Sequence, residues 1–174
     1  MKNKVLESRL SDEVMDFITS RKTLLLSSLK EDGTPYASYA PFAIGQDCLY
    51  LLISEIAVHA TNLRANPKAS VLIIEDEDSC GEIFARLRVN YSVHAENIAV
   101  DSEAWKFGID TLAARHGSRI NNLSQLADFK LFKLQPQGGR YVKDFGRAYT
   151  LAGTTLAGEV IDHMRDGHKP RAVA

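Results

Sequence analysis

The chain has 174 residues, of which 45% are hydrophobic and 25% charged, and this composition fits a single globular domain spanning residues 1–174. A formal net charge of −1 gives no global field for nucleic acid or an anionic membrane, so we expect neither partner. No apolar run approaches the ~20 residues that span a bilayer, and the N-terminus has no apolar signal core. The two cysteines, Cys48 and Cys80, form no disulfide framework, which predicts a cytoplasmic protein.

The first third of the chain passes from helical to β periodicity. Residues 12–21 predict an amphipathic helix with Ser11 as its N-cap. Strand-like segments with short connections follow at residues 23–29, 36–44 and 48–53. Such a succession predicts an antiparallel meander, in which Pro41 marks an edge or a bulge.

Residues 53–78 combine a strand end, a short helix and a buried strand in one unit. Ser54 has the side chain of a helix N-cap, and Asn66-Pro67 ends the helix. Apolar residues recur at helical spacing at Ile56, Ala60 and Leu63. His59 and Asn62 lie off this stripe, so the helix flank is either a ligand shelf or a solvated face.

Residues 84–95 form the clearest alternating strand of the chain. One face is apolar, and the other carries Arg86, Arg88, Asn90, Ser92 and His94. The polar face is either exposed to solvent or a place where an arginine grips a carboxylate or phosphate.

The remaining segments complete a mixed α+β pattern. We predict a helix at 101–116 with caps at Asp101 and Gly117, a helical turn at 118–127, strands at 128–135 and 139–145 joined by residues 136–138, and an amphipathic helix at 154–168. The six or seven strands predict a small closed, mainly antiparallel barrel with peripheral helices. Side chains fill such a barrel, so a ligand must lie in an outer groove or at a dimer interface.

The five histidines form no HExxH motif, and the acidic run at residues 75–78 is typical of a solvated loop. The C-terminal tail, residues 150–174, is more informative because His168 follows a glycine near Lys169 and Arg171. Neutral imidazole is a good axial ligand for haem iron, and basic groups can meet propionates. A plain polar tail is the alternative.

Several segments together resemble one known family. They are ISEIAVHATNL, NPKASVLIIEDED, FARLRV, LSQLADFKLFKLQP and FGRAY, with a terminal GH. These segments resemble the HugZ/HutZ haem-utilisation family of the pyridoxamine-phosphate-oxidase-like, FMN-binding split barrels. The resemblance implies a homodimer of six- to seven-stranded split β-barrels with haem bound between the subunits.

The resemblance also implies roles for individual residues. His168 matches the ligand of the haem iron, although His163 resembles a histidine of longer relatives and remains an alternative. Asp128 matches the aspartate that orients this histidine, and Arg88 matches an arginine of the haem pocket. Thr23 matches a position at the subunit interface.

We therefore expect a protein that degrades haem oxidatively with dioxygen and an external electron donor. Arg88 and Asp128 are the expected catalytic residues, and the expected cofactor contacts come from His168, Arg88, His59, Ser54 and Asn62. The alternatives are haem storage or delivery without turnover and an FMN-dependent oxidoreductase. The flavin signature Arg-x-x-x-x-Lys is missing near residues 39–44, yet Ser54, His59 and Arg88 could line a phosphate site.

Overall fold

A computed structural model describes residues 4–164 and Arg171. Within this part of the chain the helices are α1 (Lys4–Ser20), α2 (Val58–Ala65), α3 (Glu103–His116) and α4 (Arg119–Ser124). The strands are β1 (Thr23–Leu29), β2 (Pro35–Pro41), β3 (Ala43–Ile44), β4 (Leu49–Ser54), β5 (Lys68–Ile74), β6 (Arg88–Ile98), β7 (Phe129–Asp144), β8 (Arg147–Ala152) and β9 (Val160–Met164). None of these helices is both long and apolar enough to cross a membrane.

The strands pair antiparallel in the order β2-β1-β5-β6-β7-β4-β3. Only Phe42 separates β2 from β3, so the first and last strands of this order are neighbours in the chain. The sheet therefore closes on itself through a strand bent at Phe42, next to the predicted irregularity at Pro41. The predicted α+β class with a mainly antiparallel barrel is confirmed, and β8 and β9 extend the sheet from β7.

Side chains fill the interior of the barrel. Every second residue of β1 and β6 points inward, and Phe42, Tyr91 and Phe132 are fully buried. A smaller apolar cluster packs α3 against β4 and β7, with Trp105 among its members. Because the interior is packed, a ligand can bind only on the outside of the barrel.

Strand β7 runs without interruption from Phe129 to Asp144, so the predicted break at residues 136–138 is wrong. Both halves pair with β6, and the register shifts between Tyr91 and Val93. Pro136 lies opposite Val93, at this shift. Proline has no backbone N–H to donate to the ladder, and at a bulge no such hydrogen bond is required. Strand β7 can therefore continue through Pro136.

Strand β9 occupies part of the segment that we predicted as a helix at 154–168, and that prediction is wrong for the described residues. Residues 160–164 pair with β8, from Ala152 opposite Val160 to Ala148 opposite Met164. The turn before β9 closes where the Glu159 carboxylate accepts a hydrogen bond from the Thr154 N–H at 2.9 Å. Pairing with β8 stabilises the extended conformation of these residues. Their helical pattern is weak and includes β-branched residues, which favour strands, so it does not compete with this pairing.

Two predicted caps also shift. Helix α1 begins at Lys4, so Ser11 lies inside the helix and is not its N-cap. Helix α3 is capped by the Ser102 hydroxyl, which accepts from the Trp105 N–H at 3.1 Å, whereas Asp101, with a positive φ of 62°, precedes the cap. The predicted helix end at Gly117 is confirmed.

Candidate functional site

Ser54 and Asp128 meet where β4 ends beside the start of β7. The Ser54 hydroxyl donates to Oδ2 of Asp128 at 2.6 Å and accepts from the Ile56 N–H at 3.2 Å. The Glu55 N–H donates to the Asp128 carbonyl at 2.7 Å. Ser54 is therefore not the predicted N-cap: α2 begins at Val58, and the Ser54 side chain instead fixes one oxygen of the Asp128 carboxylate.

The flank of α2 lies against the barrel. His59 is half-buried with Nδ1 2.9 Å from the Ser38 hydroxyl, and burial lowers the pKa of His59, which favours neutral imidazole. Asn62 is buried, and its amide nitrogen donates to the Ser28 hydroxyl at 2.9 Å. The solvated-face interpretation is therefore wrong for Asn62.

Arg86 and Arg88 do not share a strand face. Residues 83–85 form a 3-10 turn, so β6 begins only at Arg88, and the predicted strand at 84–95 starts too early. Arg86 is instead directed back to the Glu75 carbonyl and to Glu77. Arg88 is half-buried, and its Nη1 donates to the Arg86 carbonyl at 2.9 Å. The alternation predicted for the rest of the strand is confirmed.

Arg88 lines a cleft of about 270 Å³ on the outside of the barrel. Two further arginines, Arg140 and Arg147, line the same cleft, together with apolar side chains that include Phe84, Phe145 and Met164. Sequence reasoning missed Arg140 and Arg147. The available sequence signal was Gly146, because glycine is typical of tight turns. In the structure Gly146 has a φ of 74° in the β7–β8 hairpin, and Arg147 follows it at the tip of that hairpin.

Arg88 and Asp128 lie toward opposite ends of the β6–β7 ladder. Arg88 pairs with Val142, whereas Asp128 directly precedes β7. Val142 follows Asp128 by 14 residues, which corresponds to roughly 45 Å of extended strand. The two predicted catalytic residues of one chain are therefore far apart.

The other predicted positions are also distributed. His168 lies outside the described residues. His163 is exposed on β9, with its ring centroid 5.1 Å from that of Tyr149. Thr23 begins β1 and is exposed on the outer face. The run at residues 75–78 contacts arginines, with Asp76 3.1 Å from Arg21.

The three residues of the suggested phosphate site, Ser54, His59 and Arg88, have different hydrogen-bond partners within the described part of the chain. Ser54 contacts Asp128, His59 contacts Ser38, and Arg88 contacts Arg86. Only Arg88 of the three lines the arginine cleft.

A closed antiparallel barrel with a filled interior defines a split-barrel protein, and in this chain a cationic cleft lies on the outer face of the barrel. Residues 10–143 match the sequence profile of the pyridoxamine 5′-phosphate oxidase family. The chain belongs to this family and, within it, to the group that includes HutZ, which confirms the family resemblance.

Two relatives show how far the similarity extends. Heme oxygenase HutZ of Vibrio cholerae is 43% identical over 169 residues, which are 97% of this chain and 95% of that protein. The crystal structure of HutZ, described there as a heme storage protein, superposes with a TM-score of 0.72 at 44% identity, covering 75% of this chain and 92% of that one. Campylobacter jejuni ChuZ superposes with a TM-score of 0.81 at 28% identity, covering 96% of this chain and 67% of that one.

Proposed function

We propose that this protein binds haem on the outer face of its barrel and degrades it with dioxygen and an external electron donor. The observation that carries the proposal is the cleft beside Arg88, where guanidinium groups border an apolar surface. Haem combines a flat apolar ring with two carboxylates, and this cleft offers a partner to each. The 43% identity to a heme oxygenase over nearly the whole chain supports the same substrate.

Arg88 binds a haem carboxylate in this proposal. Its backbone is fixed in β6, and the Arg86 carbonyl accepts from one of its guanidinium nitrogens. Guanidinium presents further N–H groups in a planar fork that matches a carboxylate. The residue is therefore oriented before the substrate arrives.

Asp128 acts on the imidazole that holds the iron, and we assign that imidazole to His168. The carboxylate is suited to accept an imidazole N–H, because Ser54 holds Oδ2 and leaves Oδ1 for a second partner. Asp128 and Arg88 of one chain are too far apart to act on one haem. Each site therefore takes Arg88 from one subunit and Asp128 from the other.

An apolar row on the outer face supports this homodimer. Tyr39, Leu25 and Leu72 lie side by side across β2, β1 and β5, and Tyr39 and Leu25 are 65% and 49% exposed. The row continues through Asn90 to Arg140 at the arginine cleft. A second copy packed on this row would lie next to the cleft, and Thr23 is on the same face of β1.

The chemistry divides between substrate and protein. Bound haem supplies the iron at which dioxygen is reduced, and the protein supplies ligation, orientation and controlled access. Arg88 fixes one edge of the substrate, Asp128 orients the ligand imidazole, and the apolar surface excludes water from the ring.

Parallel titrations with hemin and FMN test the proposal. We expect one hemin per subunit with the absorption of a histidine-ligated haem, and weak or no FMN binding. With ascorbate and dioxygen the Soret band should then decay, whereas a storage protein would keep it. Tight FMN binding without hemin binding would contradict the proposal and favour the flavin alternative.

The iron ligand needs its own variants. His168→Ala should abolish the iron–histidine stretch in resonance Raman spectra, whereas His163→Ala should leave it unchanged. The opposite pattern would transfer the ligand role to His163.

A further inference from the structure

The arginine cleft has a flat apolar floor. Val142, Ala148 and Met164 lie directly opposite one another across β7, β8 and β9, and Arg88 occupies the same row on β6. Residues in one row of a sheet point to the same side and are about 4.8 Å apart from strand to strand. The row is thus a shallow, planar surface about three strands wide, with a cation at one edge.

The other walls of the cleft come from two turns. Phe84 belongs to the 3-10 turn before β6 and is 85% exposed, and Phe145 lies at the β7–β8 hairpin. Arg140 lies opposite Asn90, one pleat below Arg88, and Arg147 lies at the hairpin tip. The floor is therefore bordered by three guanidinium groups.

These three arginines differ from most other arginines of the described chain. Arg9, Arg21, Arg64 and Arg86 each form an ion pair with a carboxylate. Among residues 4–164 no such pair involves Arg88, Arg140 or Arg147. Asp144 is the carboxylate among the residues that line the cleft, and it accepts from the Phe145 N–H at 2.7 Å.

The charges identify the class of ligand. Three guanidinium groups and one carboxylate leave the cleft with a net charge of about +2. Like charges that line one cleft repel each other, and a dianion removes this repulsion. The flat apolar floor adds a preference for a planar hydrophobic body.

We propose that Arg140 and Arg147 form, with Arg88, a clamp for the two carboxylates of a planar tetrapyrrole. This inference rests on the proposed function and extends it, because it assigns two further binding residues on β7 and β8. At about 270 Å³ the cleft holds the carboxylate edge of such a molecule, and the rest of the ring extends toward the partner subunit.

Iron-free protoporphyrin IX and its dimethyl ester are the decisive probes, because neither depends on an iron ligand. Their binding is measured by fluorescence for the wild type, for Arg140→Gln, for Arg147→Gln and for the double variant. Arg119→Gln, on the exposed surface of α4, is the matched control.

We expect each single substitution to weaken protoporphyrin binding about 3- to 10-fold and the pair about 10- to 100-fold, as for lost charge-assisted hydrogen bonds. Arg119→Gln should change nothing. The dimethyl ester should bind the wild type and the double variant equally, because it has no carboxylate to clamp. Thermal melting of each variant confirms that the barrel remains folded.

Equal protoporphyrin affinity of the double variant and the wild type would overturn the clamp. If Arg88→Gln still weakened hemin binding in that case, the proposed function would stand without it. A wild type that binds neither hemin nor protoporphyrin would overturn both proposals.

Discussion

The two ends of the β6–β7 ladder differ in how their charges are satisfied. At one end the Asp128 carboxylate accepts from Ser54, and Glu55 pairs with both Arg64 and Lys130 at 3.3 and 3.7 Å. At the other end, Arg88 has a backbone carbonyl as its partner and no carboxylate among the described residues. At the Asp128 end the charged side chains have partners within the chain, whereas Arg88 has no anionic partner among the described residues.

From this difference we expect the two ends of the ladder to have different roles in the proposed site. A carboxylate held by hydrogen bonds can orient a partner without moving, and unpaired guanidinium groups can receive a charged ligand. In a two-fold dimer the Asp128 end of one subunit can face the Arg88 end of the other. One symmetric interface would then build two identical sites.

The largest expected effect comes from mixing two inactive variants. Arg88→Ala and Asp128→Asn should each nearly abolish haem turnover as homodimers. In an equimolar mixture that has exchanged subunits, one site of each heterodimer contains both native residues, so about a quarter of the wild-type activity should return. The measurement is Soret decay before and after subunit exchange.

The control is each variant mixed with itself under the same conditions. No recovery in the exchanged mixture, with heterodimers verified by differently tagged subunits, would place Arg88 and Asp128 of one chain in the same site. It would thereby refute the separation of the two ends.

A substitution inside the ladder, close to its Arg88 end, should lower the stability of the barrel. Gly139 lies opposite Tyr91, and a Cβ there would lie 2.6 Å from the Asn90 carbonyl oxygen and 2.7 Å from the Tyr91 ring. Gly139→Ala should therefore lower the free energy of unfolding by about 1–3 kcal/mol, as overpacking does. Gly81→Ala, where a Cβ meets nothing within 4 Å, is the control in urea denaturation. Equal midpoints would contradict this prediction.

At the Asp128 end, Ser54→Ala should cost about 0.5–1.5 kcal/mol, because Asp128 loses a hydrogen-bond donor and the Ile56 N–H loses its acceptor. Ser92→Ala, on the exposed face of β6, should leave stability unchanged. In the haem complex Ser54→Ala should also shift the iron–histidine stretch. A stretch identical to that of the wild type would show that Ser54 does not position Asp128 for the ligand.

The smallest effect concerns Lys143, a cation near the Arg88 end that does have a carboxylate partner. The hydrogen bond from Lys143, at 2.5 Å, holds the pKa of Glu13 below its ordinary value. A lowered folded-state pKa contributes stability above the ordinary pKa of the carboxyl, and this contribution disappears as the pH falls through the lowered value. Glu13→Gln should therefore reduce stability at pH 7 by less than about 1 kcal/mol and flatten its decline below pH 5. If the stability of Glu13→Gln declined below pH 5 as steeply as that of the wild type, this contribution of Glu13 would be excluded.

Much of the fold could be predicted from local patterns. The bounds predicted for β1 match the structure, and the inward and outward alternation of β6 holds from Arg88 onward. These features depend on periodicity within one segment. The predicted helix at 154–168 failed at residues 160–164 because these pair with β8, and that partner is not visible in a local pattern.

The candidate site was less predictable for the same reason. Arg88 and Asp128 could be selected from sequence, but their separation depends on how β6 and β7 are registered. Arg140 and Arg147 come next to Arg88 only through two strand pairings. The bond between Ser54 and Asp128 joins residues 74 positions apart, and an N-cap was the nearest local explanation for this serine.

The closure of the barrel has a consequence for folding kinetics. Strand β4 completes the ring by pairing with β7, and the partners Leu49 and Leu134 are separated by about half of the chain. Such long-range pairings form late, because the entropy of closing a long loop is lost before any contact compensates for it. We expect the β1–β2 hairpin and the β5–β6 pair to gain hydrogen-exchange protection first, and the seam between β4 and β7 to gain it last. Until then β4 has an open edge, so a nascent chain that stops before residue 129 is the species most exposed to aggregation.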